Sequence, residues 1–215
     1  MIALYLLSAV CLFTPPKAWQ AAKPKGLSEY VQIGFVAQGS DGFVSSVNLA
    51  TEAVDCGLKD YVKAVKGIHT AEPGTEWRDL GALKTKTETG RLVQITTKSA
   101  WGDLVMLQGI VVKQNVAYIL TASMLKKDFP GLQTQVLESL KSMHIIPDLT
   151  SEINDVSLQQ KWSSLLKTLG ENQTAEQNAK DWSALQQFVE KETEHLGAYW
   201  QFLALQEGHA KIYRK

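Results

Sequence analysis

The chain of 215 residues is poor in the residues that build disulfide frameworks and metal sites. It contains two cysteines, Cys11 and Cys56, and four histidines. Two cysteines form at most one bridge, which excludes a disulfide scaffold, and we expect two reduced, buried thiols rather than a bridge. No histidine has a second His or Cys at metal-ligand spacing, so the sequence predicts no metal site.

The chain also lacks net charge and lacks an apolar run long enough to span a bilayer. Lys plus Arg and Asp plus Glu number 22 each, so no global charge attracts nucleic acid or anionic lipid, and we expect no nucleic-acid partner. The longest apolar run, Ile2–Phe13, is interrupted by Ser8, and a spanning helix needs roughly 20 apolar residues. Membrane association is therefore expected through the N-terminus only.

The N-terminal apolar run has the length of the hydrophobic part of a signal peptide. Ser8-Ala9-Val10 offers small residues near a cleavage site, although no Lys or Arg precedes the run. We interpret Met1–Ala9 as an export segment or its remnant, which predicts a location in the cell envelope or periplasm, or secretion. Val10–Thr14 is also predicted as a buried first strand ended by Pro15-Pro16, which is compatible with an export segment before it. The alternative location is the cytoplasm.

Motifs for catalysis are missing as well. The chain has no Gly-x-Ser-x-Gly elbow and no cysteine with a nearby histidine, and Gly39-Ser40-Asp41-Gly42 lacks the lysine and the following helix of a phosphate loop. The sequence therefore predicts a protein that is not an enzyme and holds no cofactor. A hydrolase built from scattered carboxylates is the remaining catalytic alternative, because two acids can converge from distant positions.

Short apolar runs separated by turn residues fill the first two thirds of the chain. They predict strands over Tyr30–Ala37, Phe43–Thr51, Trp77–Thr87, Arg91–Lys98, Asp103–Lys113 and Val116–Ser123. Gly39-Ser40-Asp41-Gly42 and Gln114-Asn115 are typical hairpin connections. Several of these strands are apolar on both faces, which favours a layered sandwich.

Helical spacing of apolar residues appears twice in the same region. The first stripe consists of Leu58, Tyr61, Val62, Val65 and Ile68. A second helix is predicted to begin near Asp128-Phe129-Pro130 and to end before Pro147.

The pattern changes at Ile146-Pro147, after which about 65 residues have helical periodicity. One helix is predicted over Ser157–Leu169, ended by Gly170, and a second begins at a capping box of Thr174 and Gln177. The economical interpretation is a C-terminal helical hairpin. We therefore divide the chain into residues 1–9, a domain over 10–146 and a helical extension over 147–215.

The order of elements before Pro147 resembles the Mog1/PsbP/DcrB-like group. The resemblance includes Leu12–Trp19, a strand followed by Pro and Trp, and a closing helix with Leu140-Lys141-Ser142-Met143; Ala18 replaces the group's usual glycine before the tryptophan. It implies an α+β fold in which helices sandwich an antiparallel β-sheet. It also implies binding or assembly proteins without shared catalytic residues, and it does not cover the tail.

Aromatic residues mark two candidate surfaces. The tail carries more of them than two helices bury alone, which predicts contact with a protein partner or with a second copy through Trp162, Trp182, Phe188, Tyr199, Trp200 and Phe202. A cleft between sheet and helix is predicted at Trp77, Trp101 and Met106. The sequence thus favours a non-enzymatic binding or assembly protein of the bacterial cell envelope, with a small-molecule or lipid carrier as the alternative.

Overall fold

The computed structural model describes residues 9–23, 31–37, 42–170 and 174–213. These residues group into two units. The sheet unit is Phe13–His144, and the helical unit combines residues 9–12 with residues 145–213. Most of the predicted export segment, residues 1–8, lies outside the described residues.

The sheet unit is built on seven antiparallel strands. They are β2 (Gln20–Ala21), β3 (Val31–Val36), β4 (Ser46–Ala53), β5 (Glu76–Lys84), β6 (Thr89–Ser99), β7 (Gly102–Lys113) and β8 (Val116–Leu125). Their order is β2-β3-β4-β8-β7-β6-β5, with β7 and β8 near the centre. The predicted strands of this region are confirmed, with ends shifted by a few residues.

Two helices cover the two faces of this sheet, α1 (Leu58–Thr70) and α2 (Phe129–Lys141). Tyr61 of α1 packs in a core cluster with Ile110 of β7. The adjacent Gly109 lies beneath α2, since a Cβ there would meet Leu140 at 3.5 Å. Because successive strand residues point to opposite faces, α1 and α2 lie on opposite sides of the sheet. The predicted antiparallel sheet between helices is confirmed.

Local details of the sheet unit agree with the turn and helix signals in most places. Gln114 and Asn115 both have positive φ, at 50° and 61°, as a two-residue hairpin turn of this kind requires. The predicted turn at residues 39–42 falls mostly outside the described residues. The predicted stripe of α1 is wrong at Ile68, which is 69% exposed. His69 contacts the sheet instead, with its ring 6.0 Å from that of Trp77, because 3.6 residues per turn bring position 69 onto the same face.

The helical unit begins with a small two-stranded sheet of β1 (Val10–Leu12) and β9 (His144–Ile146). A 3-10 turn over Leu149–Glu152 follows, and then α3 (Val156–Thr168), α4 (Ala175–Glu192) and α5 (Ala198–Tyr213). The first strand predicted from the sequence therefore exists, but it pairs with β9 and belongs to this unit. The helix predicted over Ser157–Leu169 is found as α3, and the helix predicted to begin at Thr174 is divided near Gly197 into α4 and α5, which form the C-terminal helical pair.

Side-chain caps determine where the helices of this unit begin. Asp155 accepts a hydrogen bond from the Leu158 backbone N–H at 2.9 Å at the start of α3. Thr174 accepts one from the Gln177 N–H at 3.2 Å at the start of α4, which is the Thr174 half of the predicted capping box, while the Gln177 side chain donates to Asp181 at 2.7 Å. Gly197 separates α4 from α5 with a φ of 88°, a region that favours glycine.

The turn that precedes β2 contains a residue in a strained backbone conformation. Ala18 has a φ of 66°, and the Trp19 N–H donates to the Pro16 carbonyl at 3.2 Å across the turn. Left-handed backbone costs an L-residue roughly 1–2 kcal/mol, whereas glycine adopts it without a steric penalty. Ala18 is also where the resembling group carries glycine, and the backbone explains that preference.

We expect Ala18→Gly to stabilise the protein by about 0.5–1 kcal/mol. The relief of strain exceeds the extra chain entropy that glycine brings to the unfolded state. Chemical denaturation of the two proteins measures the difference. A loss of stability would contradict the strain assigned to this turn.

A second prediction concerns the contact between α4 and α5. A Cβ on Gly208 would overlap the side chain of Leu185, which is fully buried. We expect Gly208→Ala to destabilise the protein by about 1–2 kcal/mol, because overpacking outweighs the gain in helix propensity.

The matched control is Gly67→Ala in α1, where no atom lies within 4 Å of the added Cβ. We expect this substitution to stabilise by up to about 1 kcal/mol. Thermal unfolding of both variants tests the pair. Equal effects at the two positions would show that α4 and α5 do not pack closely at Gly208.

Candidate functional site

The aromatic residues predicted as a partner surface fall into two groups. Trp162, Tyr199 and Trp200 are buried in the core of the helical unit. The Trp162 ring lies 5.4 Å from that of Trp200 and 6.0 Å from that of Phe188. These residues serve the unit's own packing, because three helices rather than the predicted two enclose their rings. Trp182, Phe188 and Phe202 are half-buried.

A buried hydrogen bond completes the core of the helical unit. The Trp200 indole Nε1 donates to the Leu149 carbonyl oxygen at 3.0 Å, which fastens α5 to the 3-10 turn before α3. A shallow depression of about 630 Å³ lies elsewhere in the unit, on α4, α5 and the segment joining them. Gln186, Glu190, Glu194 and Gln201 contribute polar groups to its lining. The Gln201 amide already donates to the Val189 carbonyl at 2.9 Å.

The predicted cleft residues are partly brought together by the sheet register. Trp77 pairs with Ile95, and Ile95 pairs with Met106, so the three side chains share the face that carries α1. Trp77 and Met106 are half-buried on either side of the buried Ile95. Trp101 lies apart from them, in the two-residue turn between β6 and β7.

The hairpin turn around Trp101 is held by side-chain hydrogen bonds. The Trp101 backbone N–H donates to the Ser99 hydroxyl at 3.1 Å, and that hydroxyl donates to the Gly102 carbonyl at 2.8 Å. Ser99 and Gly102 are also register partners at the ends of the two strands. These hydrogen bonds fix the backbone of the turn that carries the Trp101 side chain.

The Trp101 side chain is 58% exposed, the most exposed tryptophan among the described residues. Its ring lies 5.8 Å from that of half-buried Phe43, and we call these two residues the tryptophan patch. Val44, next in the chain, is also exposed. The sequence pointed to Trp101 but not to Phe43, because no local pattern shows that these two side chains meet.

Charged side chains flank the tryptophan patch. Asp103 lies two residues after Trp101 and pairs with Lys98 at 3.7 Å and with Lys126 at 4.0 Å. All three groups are well exposed, so the pairs contribute little to stability. An apolar centre with a charged margin is the usual composition of a protein interface.

Burial shifts the pKa values of several titratable groups among the described residues. Burial raises the pKa of the Cys11 thiol to about 12, so this cysteine is protonated and unreactive at neutral pH. Burial and the nearby Glu52 carboxylate, which accepts a hydrogen bond from its hydroxyl at 2.6 Å, raise the pKa of Tyr61. Burial lowers the pKa of His69 beside Trp77.

Both cysteines are free, and Cys56 is half-buried. Within the described ranges no group of three or more His, Cys, Asp or Glu side chains could hold a metal ion. Over the same part of the chain, no helix combines the length and the apolar character that crossing a bilayer requires.

Comparison with solved structures finds similar folds at low sequence identity. LpqN of Mycobacterium tuberculosis, described as involved in cell envelope biogenesis, has a TM-score of 0.51 at 13% identity, over 65% of this chain and 85% of that chain. PsbP of Synechocystis has a TM-score of 0.44 at 11% identity, over 66% and 95%. The Saccharomyces cerevisiae Ran-binding protein Mog1p has a TM-score of 0.37 at 14% identity, over 60% and 96%.

No family model matches the sequence, and no curated protein matches it. The likeness to LpqN shows a shared fold and nothing about activity. Together with the seven-stranded antiparallel sheet between α1 and α2, it confirms that the chain has the Mog1/PsbP-like fold expected from the sequence.

Proposed function

We propose that the protein is a non-enzymatic binding protein of the bacterial cell envelope that contacts a protein partner through the tryptophan patch. The observation that carries the proposal is the exposure of Trp101 on a hydrogen-bonded hairpin. A tryptophan kept in water at this position forgoes the stabilisation that burial of its large apolar surface would bring. Such an arrangement is typical of a residue that becomes buried by a partner.

The geometry of the patch supports its use as an anchor. Tryptophan is enriched among the interface residues that contribute most binding energy. Because Ser99 holds the turn and Phe43 contacts the indole, little conformational entropy is lost when a partner covers the ring. Asp103 with Lys98 and Lys126 offers both signs of charge at the margin, which favours a polar, oriented contact.

The remaining half-buried tail aromatics form a second proposed contact surface. Trp182 lies against His209, with ring centroids 5.3 Å apart, and His209 in turn contacts Tyr213 at 4.6 Å. Tyr213 is itself well exposed. Phe188 and Phe202, on α4 and α5, are half-buried too, and we include them in this proposed surface for a larger partner or a second copy of the chain.

A location in the cell envelope is supported by two independent observations. Residues 1–9, the part of the apolar run that precedes β1, suit an export segment, and the fold is shared with LpqN, which is described as involved in cell envelope biogenesis. Neither observation depends on the tryptophan patch. The location and the binding surface can therefore be tested separately.

We expect the mature protein to be found in the envelope fraction with a mass that lacks the first residues of the chain. The measured mass should be lower than that of the full sequence by the mass of about nine residues, which a signal peptidase would remove. Fractionation of native cells followed by intact-mass measurement checks both points. A full-length protein confined to the cytosol would contradict the proposed location.

Trp101→Ala tests the proposed contact surface. We expect loss of a specific partner after chemical cross-linking in envelope extract, because the anchor is gone. We also expect the midpoint of thermal unfolding to change little, because an exposed side chain contributes only about 0.5 kcal/mol to stability.

The matched control is Leu80→Ala, which removes an exposed apolar side chain from the edge strand β5. This variant should retain the partner. The same cross-linked products from Trp101→Ala and from the unchanged protein would rule out the tryptophan patch as the contact. A shift from dimer to monomer on sizing would identify a second copy as the partner.

A further inference from the structure

Three features of the tryptophan patch restrict the kind of partner that can cover it. The first is the position of the patch in the sheet. Trp101 lies between β6 and β7, and Phe43 lies shortly before β4. Within the described sheet, β4, β6 and β7 each have a paired strand on both sides, so no full strand edge is open beside the patch. A partner therefore cannot bind here by adding a whole strand to the sheet.

The second feature is the small extent of the apolar surface that the patch exposes. Trp101 is 58% exposed and the neighbouring Val44 is 44% exposed, while Phe43 is half-buried. An amphipathic helix that docks in a groove uses apolar anchors at positions i, i+3, i+4 and i+7, and these three side chains are too few to receive four anchors. The patch is suited instead to a partner that needs contact with only one or two aromatic rings.

The third feature is the balance of charge at the margin of the patch. Lys98 and Lys126 both pair with Asp103, at 3.7 Å and 4.0 Å. Recognition of phosphorylated or acidic segments uses clusters of arginine, whose planar groups bind phosphate in a bidentate manner. None of these three residues is an arginine, and Asp103 would repel an anion at close range. The margin therefore does not favour a phosphorylated or acidic partner.

The two rings of the patch are inclined rather than stacked. Their centroids are 5.8 Å apart and their planes meet at 58°. Rings at this angle do not cover each other's faces completely, and the exposure of Trp101 shows that its indole remains accessible. Proline-rich segments in the polyproline II conformation bind to surfaces that are lined by aromatic rings. The arrangement of Trp101 and Phe43 is therefore of the type that receives a proline ring.

The indole N–H of Trp101 is available to a partner. It makes no hydrogen bond within the described part of the chain. The exposed Gly42 lies beside it and has no side chain that could cover it, since a Cβ added to Gly42 would be 3.8 Å from Trp101 Nε1. A polyproline II segment has no internal hydrogen bonds, so its carbonyl oxygens are free to accept one from this donor.

We propose that the partner of the tryptophan patch presents a proline-rich segment in the polyproline II conformation. Proline rings pack against Trp101 and Phe43, and one backbone carbonyl of the segment accepts a hydrogen bond from Trp101 Nε1. Such a segment is already extended in the free partner, so binding through a small surface costs little conformational entropy. This inference rests on the proposed function, because it names the chemistry of the partner at the same patch.

Titration of the full chain with a synthetic octaproline peptide tests the inference. A glycine–serine peptide of the same length is the comparator, because it is flexible and has no apolar ring. The readout is the NMR signal of the Trp101 indole N–H, assigned with Trp101→Phe. We expect a saturable shift with a Kd of about 1 mM or tighter for octaproline, and no saturation with the comparator. The absence of a saturable shift at about 10 mM octaproline overturns the proposal, as does equal binding of the two peptides.

Conservative variants test the two contacts separately. Trp101→Phe keeps an aromatic ring and removes the N–H, so we expect octaproline to bind about five- to tenfold more weakly, as the loss of one hydrogen bond predicts. Phe43→Leu keeps most of the apolar volume and removes the ring, so we expect binding to weaken about threefold or more. Backbone amide shifts report the binding in these variants.

The matched control is again Leu80→Ala, which should bind octaproline like the unchanged protein. Unchanged affinity in both Trp101→Phe and Phe43→Leu would overturn the proposed contacts. An equal loss of affinity in Leu80→Ala and Trp101→Ala would exclude the tryptophan patch as the binding site.

Failure of this inference can be told apart from failure of the proposed function. Loss of the cross-linked partner in Trp101→Ala without any binding of octaproline would keep the patch as a contact surface and overturn only the proline-rich partner. The same cross-linked products from Trp101→Ala and from the unchanged protein, together with no binding of octaproline, would overturn both. Octaproline binding that disappears in Trp101→Ala, together with loss of the cross-linked partner, supports both.

Discussion

Burial of β7 and β8 on both faces is the constraint on which the sheet unit depends. Ile110 and Gly109 are adjacent residues, yet one packs beneath α1 and the other beneath α2. The period of two residues in a strand makes this division unavoidable, so each helix must supply an apolar face. The missing side chain of Gly109 leaves room for Leu83 of β5, which an added Cβ would meet at 2.7 Å, whereas Leu140 of α2 would lie at an ordinary contact distance of 3.5 Å.

The helical unit depends instead on the contacts among the aromatic rings of its core. Trp162 contacts both Phe188 of α4 and Trp200 of α5, so a single side chain links three helices. Trp200 then uses its indole N–H to bind the Leu149 carbonyl, which satisfies a polar group that burial would otherwise leave unpaired. Trp162, Tyr199 and Trp200, which the sequence predicted to lie on a partner surface, instead form part of this core.

Much of the fold could be predicted because its signals are local. The strands over residues 91–123 and helix α1 follow from apolar periodicity, and the Gln114-Asn115 turn and the Thr174 cap follow from the backbone preferences of those residues. The pairing of β1 with β9 could not be predicted, since the two strands are more than 130 residues apart. The contact of Phe43 with Trp101 likewise joins residues that are distant in the sequence.

Trp101 and Gln108 are exceptions to the rule that apolar side chains are buried and polar side chains are exposed. One is a large apolar group kept in water, and the other is an amide kept out of water with one atom unpaired. Each departure costs stability in the isolated protein, and the surrounding strands are otherwise well satisfied and well packed. Ser139, Trp162 and Asn178 also leave a buried polar atom without a partner among the described residues, so an unpaired buried oxygen does not by itself mark a binding site. The exposed indole can be buried by a partner, whereas the Gln108 oxygen has no accessible surface through which a ligand could reach it.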